Sequence, residues 1–211
     1  MRRMVIIAFI VVSFLVVFYG ILTLPPTIPI HFDMNGNPDS YGSKFTLLIL
    51  PIAALLTYLG VPIIFKIDPY ANKIEPRKFV LLAIRDILVI FFSVVSIVAV
   101  LGAQRGYLFP NLMAALVSAL LMVIGNYMPR LPHNWFVGIR TPWTLVSEHV
   151  WRRTHRVFGV AFFLLGLLML VFSFVSIEIW LWIMISGIIL ITIGAFFYSY
   201  LIYRQEAKAN S

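Results

Sequence analysis

The segment from Gly125 to Arg156 reads GNYMPRLPHNWFVGIRTPWTLVSEHVWRRTHR, and it separates two apolar runs that are each long enough to cross a bilayer. It is rich in Arg, Trp, Pro and His, in a chain of 211 residues that is 62% hydrophobic and only 11% charged. In such an apolar chain, a long polar segment is where specific chemistry can be located. We therefore expect the function to depend on this segment.

Six apolar runs along the chain approach the roughly 20 residues that are needed to cross the hydrocarbon core of a membrane. They are continuous rather than alternating, and backbone amides in lipid must be satisfied within a helix or a closed barrel, so these runs predict helices. The sequence thus predicts an all-α polytopic integral membrane protein, a six-transmembrane-helix bundle. The predicted spans are Met4–Leu24, Phe45–Phe65, Phe79–Leu101, Pro110–Tyr127, Val157–Val175 and Ile179–Tyr203.

The distribution of basic residues predicts an orientation for these spans. Lys44 and Arg105 flank them on one side, whereas most other flanking Lys and Arg residues lie on the opposite side. By the positive-inside bias, both termini and loop 128–156 are predicted to be cytoplasmic, and loop 25–44 to face outward. The formal net charge of +8 is therefore a topology signal, and we expect no direct binding of nucleic acid. Residues 1–65 form a predicted N-terminal hairpin, and residues 66–211 a four-helix region.

Helix signals divide the polar segment into two halves. Thr141 followed by Pro142 predicts an N-cap and a first helical position, with a helix that runs directly into the fifth span. Two readings of that helix stay open: an interfacial helix whose arginines meet anionic lipid headgroups, or a docking surface for a protein. Its predicted apolar stripe contains Trp143, Val146, Val150 and Val157, and its charged stripe contains Glu148, Arg152, His155 and Arg156.

Arg85 and Asp86 form the one charged pair inside a predicted span. Asp86 follows the start of the span by seven residues, roughly 10 Å at ~1.5 Å per residue, which is too deep for a flank. Because adjacent helix positions do not face each other, Arg85 is expected to snorkel while Asp86 turns inward. The predicted partner of Asp86 is Arg140, with His155 or Arg156 as alternatives. A position of Asp86 at headgroup level is the competing interpretation.

The outward loop contains oxygen and imidazole groups whose mixture invites a metal interpretation. The Asn-Gly and Asn-Pro-Asp motifs favour consecutive turns instead, and a lone histidine with two aspartates does not have the spacing of a zinc site. We predict a turn scaffold that presents Phe32 and Tyr41 to the membrane interface, with no metal and no cofactor. His133, His149 and His155 are likewise too scattered to predict a cluster. The loop residues of interest are His31, Phe32, Asn35, Gly36, Pro38, Asp39 and Tyr41.

Small residues recur every seven positions in the last two spans. Gly159, Gly166 and Ser173 lie in the fifth span, and Gly187 and Gly194 lie in the sixth. Small residues at such spacing let helices approach closely where lipid gives no hydrophobic drive. We expect these two helices to pack together as an antiparallel hairpin.

Two parts of the sequence resemble a known family. Gly125-Asn126, then GIRTPWTL at 138–145, Glu148 and Val150-Trp151 with the following basic residues resemble the signature of the SdpI immunity-protein family of bacterial and archaeal membrane proteins. The first loop is similar to the small domain of unknown function that commonly precedes the SdpI region. The signature positions singled out are Asn126, Arg140, Thr141, Pro142, Trp143, Glu148, Trp151, Arg152, His155 and Arg156.

The resemblance implies a multi-pass plasma-membrane protein of a prokaryote that protects its producer against a secreted antimicrobial peptide. It also implies sequestration of a cytoplasmic transcriptional repressor. Loop 128–156, the fourth loop, would hold the repressor, while the outward first loop, 25–44, meets the peptide. A small membrane transporter or lipid-handling protein is the alternative function. Catalysis is not expected, because the sequence contains no Cys and no activated Ser constellation, phosphate-binding glycine loop or convergent carboxylate pair.

Overall fold

A computed structural model describes residues 2–209, and for Arg2 the backbone alone. Met1, Asn210 and Ser211 lie outside the described residues. The long helices are α1 (Arg2–Thr23), α2 (Ile49–Ile67), α4 (Lys78–Arg105), α5 (Pro110–Tyr127), α7 (Glu148–Phe172) and α8 (Ile177–Ala209). All six belong to segments long and apolar enough to cross a membrane, so the predicted all-α, six-helix membrane fold is confirmed. Two short helices, α3 (Ala71–Ile74) and α6 (Pro142–Val146), lie in the polar loops.

The first loop folds into an antiparallel hairpin that the sequence did not predict. Strands β1 (Thr27–Phe32) and β2 (Pro38–Ser43) pair with Thr27 opposite Ser43. The turn between them is of the predicted kind: the Asp33 carboxylate accepts hydrogen bonds from the backbone N–H groups of Asn35 and Asn37, at 2.9 and 2.8 Å. The Asn37 amide in particular lowers the pKa of Asp33. Consecutive turns therefore account for the tip of this loop, and strands for its arms.

Gly36 fixes this hairpin to the turn between α4 and α5. Its backbone has φ +84°, and its carbonyl accepts a hydrogen bond from the Leu108 N–H at 3.0 Å. A Cβ at this position would lie 2.1 Å from the Leu108 carbonyl oxygen. Both the conformation and the close approach therefore require glycine.

The chain divides into two compact units, Met1–Gly60 with Arg85–Leu116, and Val61–Ile84 with Val117–Ser211. The division at residue 65 that the sequence suggested stays a prediction. In the first unit, two clusters of buried apolar side chains join helices to one another and to the hairpin. One contains Val17, Leu24, Ile28, Leu47 and Val100, and the other contains Ile6, Ile10, Ala54 and Val89.

In the second unit, α7 packs against α8 as expected, but the small residues of α7 face another helix. A Cβ on Gly159 would lie 2.8 Å from the Gly125 carbonyl oxygen of α5, and one on Gly166 would lie 2.7 Å from the backbone nitrogen of Met122. On α8, by contrast, a Cβ on Gly187 would meet the Leu165 side chain at 2.4 Å. Gly159 and Gly166 thus let the backbone of α7 pack directly against α5. The glycines of α8 instead leave space for the large side chains of α7 that pack against them.

Candidate functional site

Asn134 organises the start of the fourth loop. Its side chain is fully buried, and its Oδ1 accepts hydrogen bonds from the N–H groups of Phe136 and Val137 at 2.9 and 2.7 Å. Its Nδ2 donates to the carbonyls of Pro132 and Val137 at 2.9 and 3.0 Å. One side chain therefore takes the place of secondary structure for residues 132–137. In the sequence Asn134 reads only as a turn-forming residue, because nothing next to it shows these four hydrogen bonds.

Asp68 connects the second polar loop, which lies between α2 and α4 and contains α3, to the fourth loop. One oxygen of this buried carboxylate accepts from the Tyr70 N–H at 2.7 Å, and the other accepts from the Trp135 N–H at 2.9 Å. The Tyr70 hydroxyl in turn donates to the Leu145 carbonyl at 3.2 Å. The second loop is thus joined to the fourth loop at two positions, Trp135 and Leu145. No local pattern marks Asp68, because its partner lies 67 positions further along the chain.

His155 holds the centre of the fourth loop on α7. Its Nε2 accepts a hydrogen bond from the Ile139 N–H at 2.9 Å, so the proton of the neutral ring lies on Nδ1, which donates to the Trp151 carbonyl at 2.8 Å. Gly138, next to the bonded amide, has φ +120°, and a Cβ there would lie 2.4 Å from Nε2. The glycine of the GIRTP motif therefore makes room for the histidine.

Trp151 forms an aromatic core with two histidines. The indole is fully buried and donates from Nε1 to the Leu131 carbonyl at 3.2 Å. Its ring stacks on His155 with a centroid separation of 3.9 Å, and lies 5.1 Å from the ring of His133. His133 and His155 thus share one tryptophan, whereas His149 is exposed on the helix, and within residues 2–209 the three do not form a group of metal ligands.

The predicted helix start at Thr141 is confirmed. The Thr141 hydroxyl accepts from the Thr144 N–H, and the Thr144 hydroxyl accepts from the Thr141 N–H, which completes a capping box with Pro142 at the first position. The Thr141 hydroxyl also donates to the Ser199 hydroxyl of α8 at 3.0 Å. Trp143 packs its ring against Phe196 and Tyr200 of the same helix. The first turn of α6 is therefore bound to α8.

The prediction of one helix from Pro142 into the fifth span is wrong. The helix breaks at Ser147, which has an extended backbone at φ −115° and ψ 123°, and whose hydroxyl caps α7 by accepting from the Val150 N–H. This hydroxyl also donates to a carboxylate oxygen of Glu206 at 2.6 Å. The break changes the phase of the two predicted stripes: Val146 is exposed, Val150 is fully buried, and His155 lies inside rather than on the charged face.

Glu148 is the centre of the charged contacts. One oxygen binds Arg152, four residues further along α7, at 2.5 Å, and the other binds Lys73 of α3 at 2.8 Å. The three side chains are partly exposed, and such pairs contribute ~1 kcal/mol or less each. Of the other signature residues, Asn126 and Arg156 are exposed.

The interpretation of Arg85 and Asp86 requires a correction. Both side chains are buried, and the guanidinium bends back to its neighbour, with Nε 2.8 Å and Nη2 2.5 Å from Asp86 Oδ1. The Arg85 guanidinium also lies over the Tyr58 ring, 4.5 Å from its centroid. Arg85 therefore does not snorkel away, and Asp86 receives a cation from its own helix. Arg140, the expected partner, donates to the Trp135 carbonyl at 2.9 Å.

The hairpin residues predicted from the first loop are mostly exposed. His31 Nδ1 lies 2.6 Å from Asp39 Oδ1 across the hairpin, and both side chains are exposed. Asn35 is exposed in the turn, Pro38 begins β2, and Tyr41 is exposed. Among residues 2–209, no three His, Asp or Glu side chains are grouped as metal ligands.

Phe32, by contrast, lines an apolar cavity between the hairpin and the helices of the first unit. The cavity has a volume of about 400 Å³. The hairpin, the start of α2, α4 and the beginning of α5 all contribute to it. Its lining residues include Ile28, Ile30, Phe32, Leu47, Leu50, Ala99, Leu108 and Met113. No sequence pattern predicts this cavity, because its walls come from four separate segments.

Fold and loops together define the class: a multi-pass plasma-membrane protein whose polar segments are folded onto the helix ends. Residues 130–199 match the SdpI/YfhL protein family, and residues 6–55 match a domain of unknown function (DUF1648). The chain is 26% identical over 205 residues to "Immunity protein SdpI" of Bacillus subtilis (strain 168), which covers 92% of this chain and 96% of that protein. No solved structure is significantly similar. The resemblance to the SdpI family is confirmed.

Proposed function

We propose that this protein is an SdpI-like membrane immunity protein, which protects its producer against a secreted antimicrobial peptide. One observation carries the proposal: the similarity to the immunity protein extends over nearly the full length of both chains. It includes the hairpin region and the fourth loop together, rather than a single motif.

The apolar cavity beside the hairpin suggests how a peptide is recognised. A membrane-active peptide has apolar side chains, and a cavity lined by Ile, Leu, Phe and Met can bury them. The positive-inside bias predicts that this hairpin faces outward, where such a peptide arrives. In this proposal the cavity binds the peptide before it can insert freely into the membrane.

Survival of a sensitive bacterial strain tests this proposal. Cells that express the protein are expected to survive membrane-active peptides that kill cells without it, in a panel of candidates applied at graded concentration. Ala99→Leu, which fills the cavity, is expected to remove protection at equal protein level. Gly60→Leu is the matched control, because a Cβ at Gly60 meets nothing within 4 Å. No protection by the wild type against any peptide would refute immunity, whereas full protection by Ala99→Leu would refute only the role of the cavity.

We also propose that the fourth loop holds a cytoplasmic repressor. Arg140 and Arg156 are exposed signature residues that the loop does not use in its buried core, so they are available to an acidic partner. A fluorescent fusion of a small helix-turn-helix repressor from the same genome is expected to move to the membrane with the wild type, and to stay dispersed with Arg140→Ala and Arg156→Ala combined. Equal recruitment by both forms would contradict this role.

Orientation can be measured directly, because the chain has no native cysteine. On intact cells, an impermeant thiol reagent is expected to label Asn37→Cys, and to label Val146→Cys only after permeabilisation. The reverse pattern would place the hairpin inside and would contradict both proposals. If substrate-dependent flux appeared in proteoliposomes, transport would replace immunity as the better explanation.

A further inference from the structure

A second cavity lies at the polar ends of the helices in the second unit and has a volume of about 250 Å³. We refer to it as the basic cavity. One wall comes from the second polar loop and the other from the fourth loop and the first turns of α7. Its lining residues are Lys73, Pro76, Arg77, Leu131, Pro132, His133, Glu148 and Arg152.

His133 is the most unusual group in this cavity. Its side chain is only 4% exposed, yet within residues 2–209 neither ring nitrogen makes a hydrogen bond of normal geometry, although the nearby backbone of Thr144 and Leu145 acts to raise its pKa. Its faces are occupied, since the ring stacks on Tyr70 at 4.4 Å between centroids and lies near Trp151. A buried polar group without a partner costs free energy, and such groups are rare in folded proteins. Since the ring edge lines a cavity, a ligand there would satisfy it.

The charges around the cavity indicate what that ligand is. Three cations, Lys73, Arg77 and Arg152, line it together with one anion, Glu148. Glu148 binds Lys73 and Arg152, whereas Arg77 makes no ion pair within the described part of the chain. The lining therefore carries a surplus of positive charge with a neutral histidine, and it attracts an anion.

We propose that the basic cavity binds a phosphate group, presented either by an anionic phospholipid headgroup or as free phosphate. Phosphate oxygens accept hydrogen bonds from Arg77 and Lys73 and from an N–H of the His133 ring. The flanks of membrane helices lie at headgroup depth, where lipid phosphates are concentrated. The walls of the cavity come from both loops, so a bound phosphate would join Lys73 and Arg77 to the fourth loop.

The test uses the full-length protein in nanodiscs with ¹⁵N-labelled histidine, and His133→Gln assigns the resonances of His133. One arm compares discs of phosphatidylcholine with discs that also contain phosphatidylglycerol. The other arm adds inorganic phosphate to phosphatidylcholine discs. The ring resonances of His133 are expected to shift saturably in at least one arm. A shift with phosphatidylglycerol alone identifies a headgroup, and a shift with inorganic phosphate alone identifies the free anion.

Charge variants separate a specific site from general attraction to a basic surface. Arg77→Gln is expected to weaken binding about tenfold or more, since it removes a charge-assisted contact. Arg153→Gln, the same change at an exposed position of α7 outside the cavity, is expected to leave affinity unchanged. Arg77→Lys, which keeps the charge, retains most of the affinity and controls for misfolding of the Gln variant. The absence of a shift in both arms, or equal weakening by Arg77→Gln and Arg153→Gln, overturns the proposal.

Discussion

Gly125→Ala is expected to destabilise the protein by separating α5 from α7. A Cβ on Gly125 would lie 2.5 Å from the backbone nitrogen of Phe163 and 2.7 Å from the carbonyl oxygen of Gly159. Ordinary contacts begin near 3.4 Å, so backbone atoms would have to move by about 1 Å. Backbone atoms cannot change rotamer, which places the cost near the upper end of the ~1–3 kcal/mol that overpacking typically causes. Alanine recovers up to ~1 kcal/mol through its helix propensity, which leaves a net loss of about 2 kcal/mol.

The measurement is the free energy of unfolding of the purified chain in detergent, from helical circular dichroism at increasing SDS. Gly60→Ala is the control, because it makes the same change inside α2 with nothing within 4 Å of the new Cβ. That variant is expected to match the wild type or exceed it slightly. If Gly125→Ala proved as stable as Gly60→Ala, close packing of α5 on α7 would not contribute to stability, and the reasoning would be refuted.

Three further predictions concern the loops. Asp68→Asn is expected to cost about 2 kcal/mol, because it replaces a carboxylate that accepts hydrogen bonds from two partly buried N–H groups. The variant is also expected to increase proteolysis within residues 131–147. Asp39→Asn, at an exposed position, should have little effect on either measurement. Gly36→Ala is expected to loosen the hairpin more than Gly106→Ala does. Both positions have positive φ, but of the two only a Cβ on Gly36 would meet a backbone atom within 4 Å. The rate of thiol labelling of Tyr41→Cys measures the difference, and equal rates in both variants would mean that backbone strain alone matters. Burial, followed by the charge of Lys73, lowers the pKa of His133 below 6.5 in the folded state. The unfolded state therefore binds the proton more tightly, so the stability is fully present above about pH 6.5 and falls as the pH drops through the folded-state pKa. His133→Gln should flatten this part of the plot of stability against pH, and an unchanged slope would contradict the role of His133.

The helices and one helix cap were predictable because their causes are local. Length and hydropathy determine the six spans, and Thr141 with Pro142 specifies a helix start within a few residues. The break at Ser147 was not predictable in the same way, since the serine is held by Glu206 from the end of the chain. Nothing in the sequence near Ser147 shows that contact.

Packing partners were the least predictable feature. The spacing of Gly159 and Gly166 indicates that one face of α7 is small, but it does not say which helix lies against that face. Strand β1 was hidden by Pro29 and by the turn residues that follow it. The contacts of Asp68 and His133 in the candidate sites depend on loops brought together by the fold, so their roles became visible only in three dimensions.

The Arg85–Asp86 contact has a consequence for how the chain enters the membrane. Opposite charges on neighbouring residues form a locally neutral dipole, so the helix that contains them can pass into lipid with less penalty than one isolated charge would bring. On insertion scales, an unpaired charge at the centre of a span costs ~2.5–3.5 kcal/mol. Removal of either member would leave a single charge on the newly made helix before any tertiary contact has formed. It would bring part of that penalty during biogenesis, because the pair lies in the first third of α4 rather than at its centre.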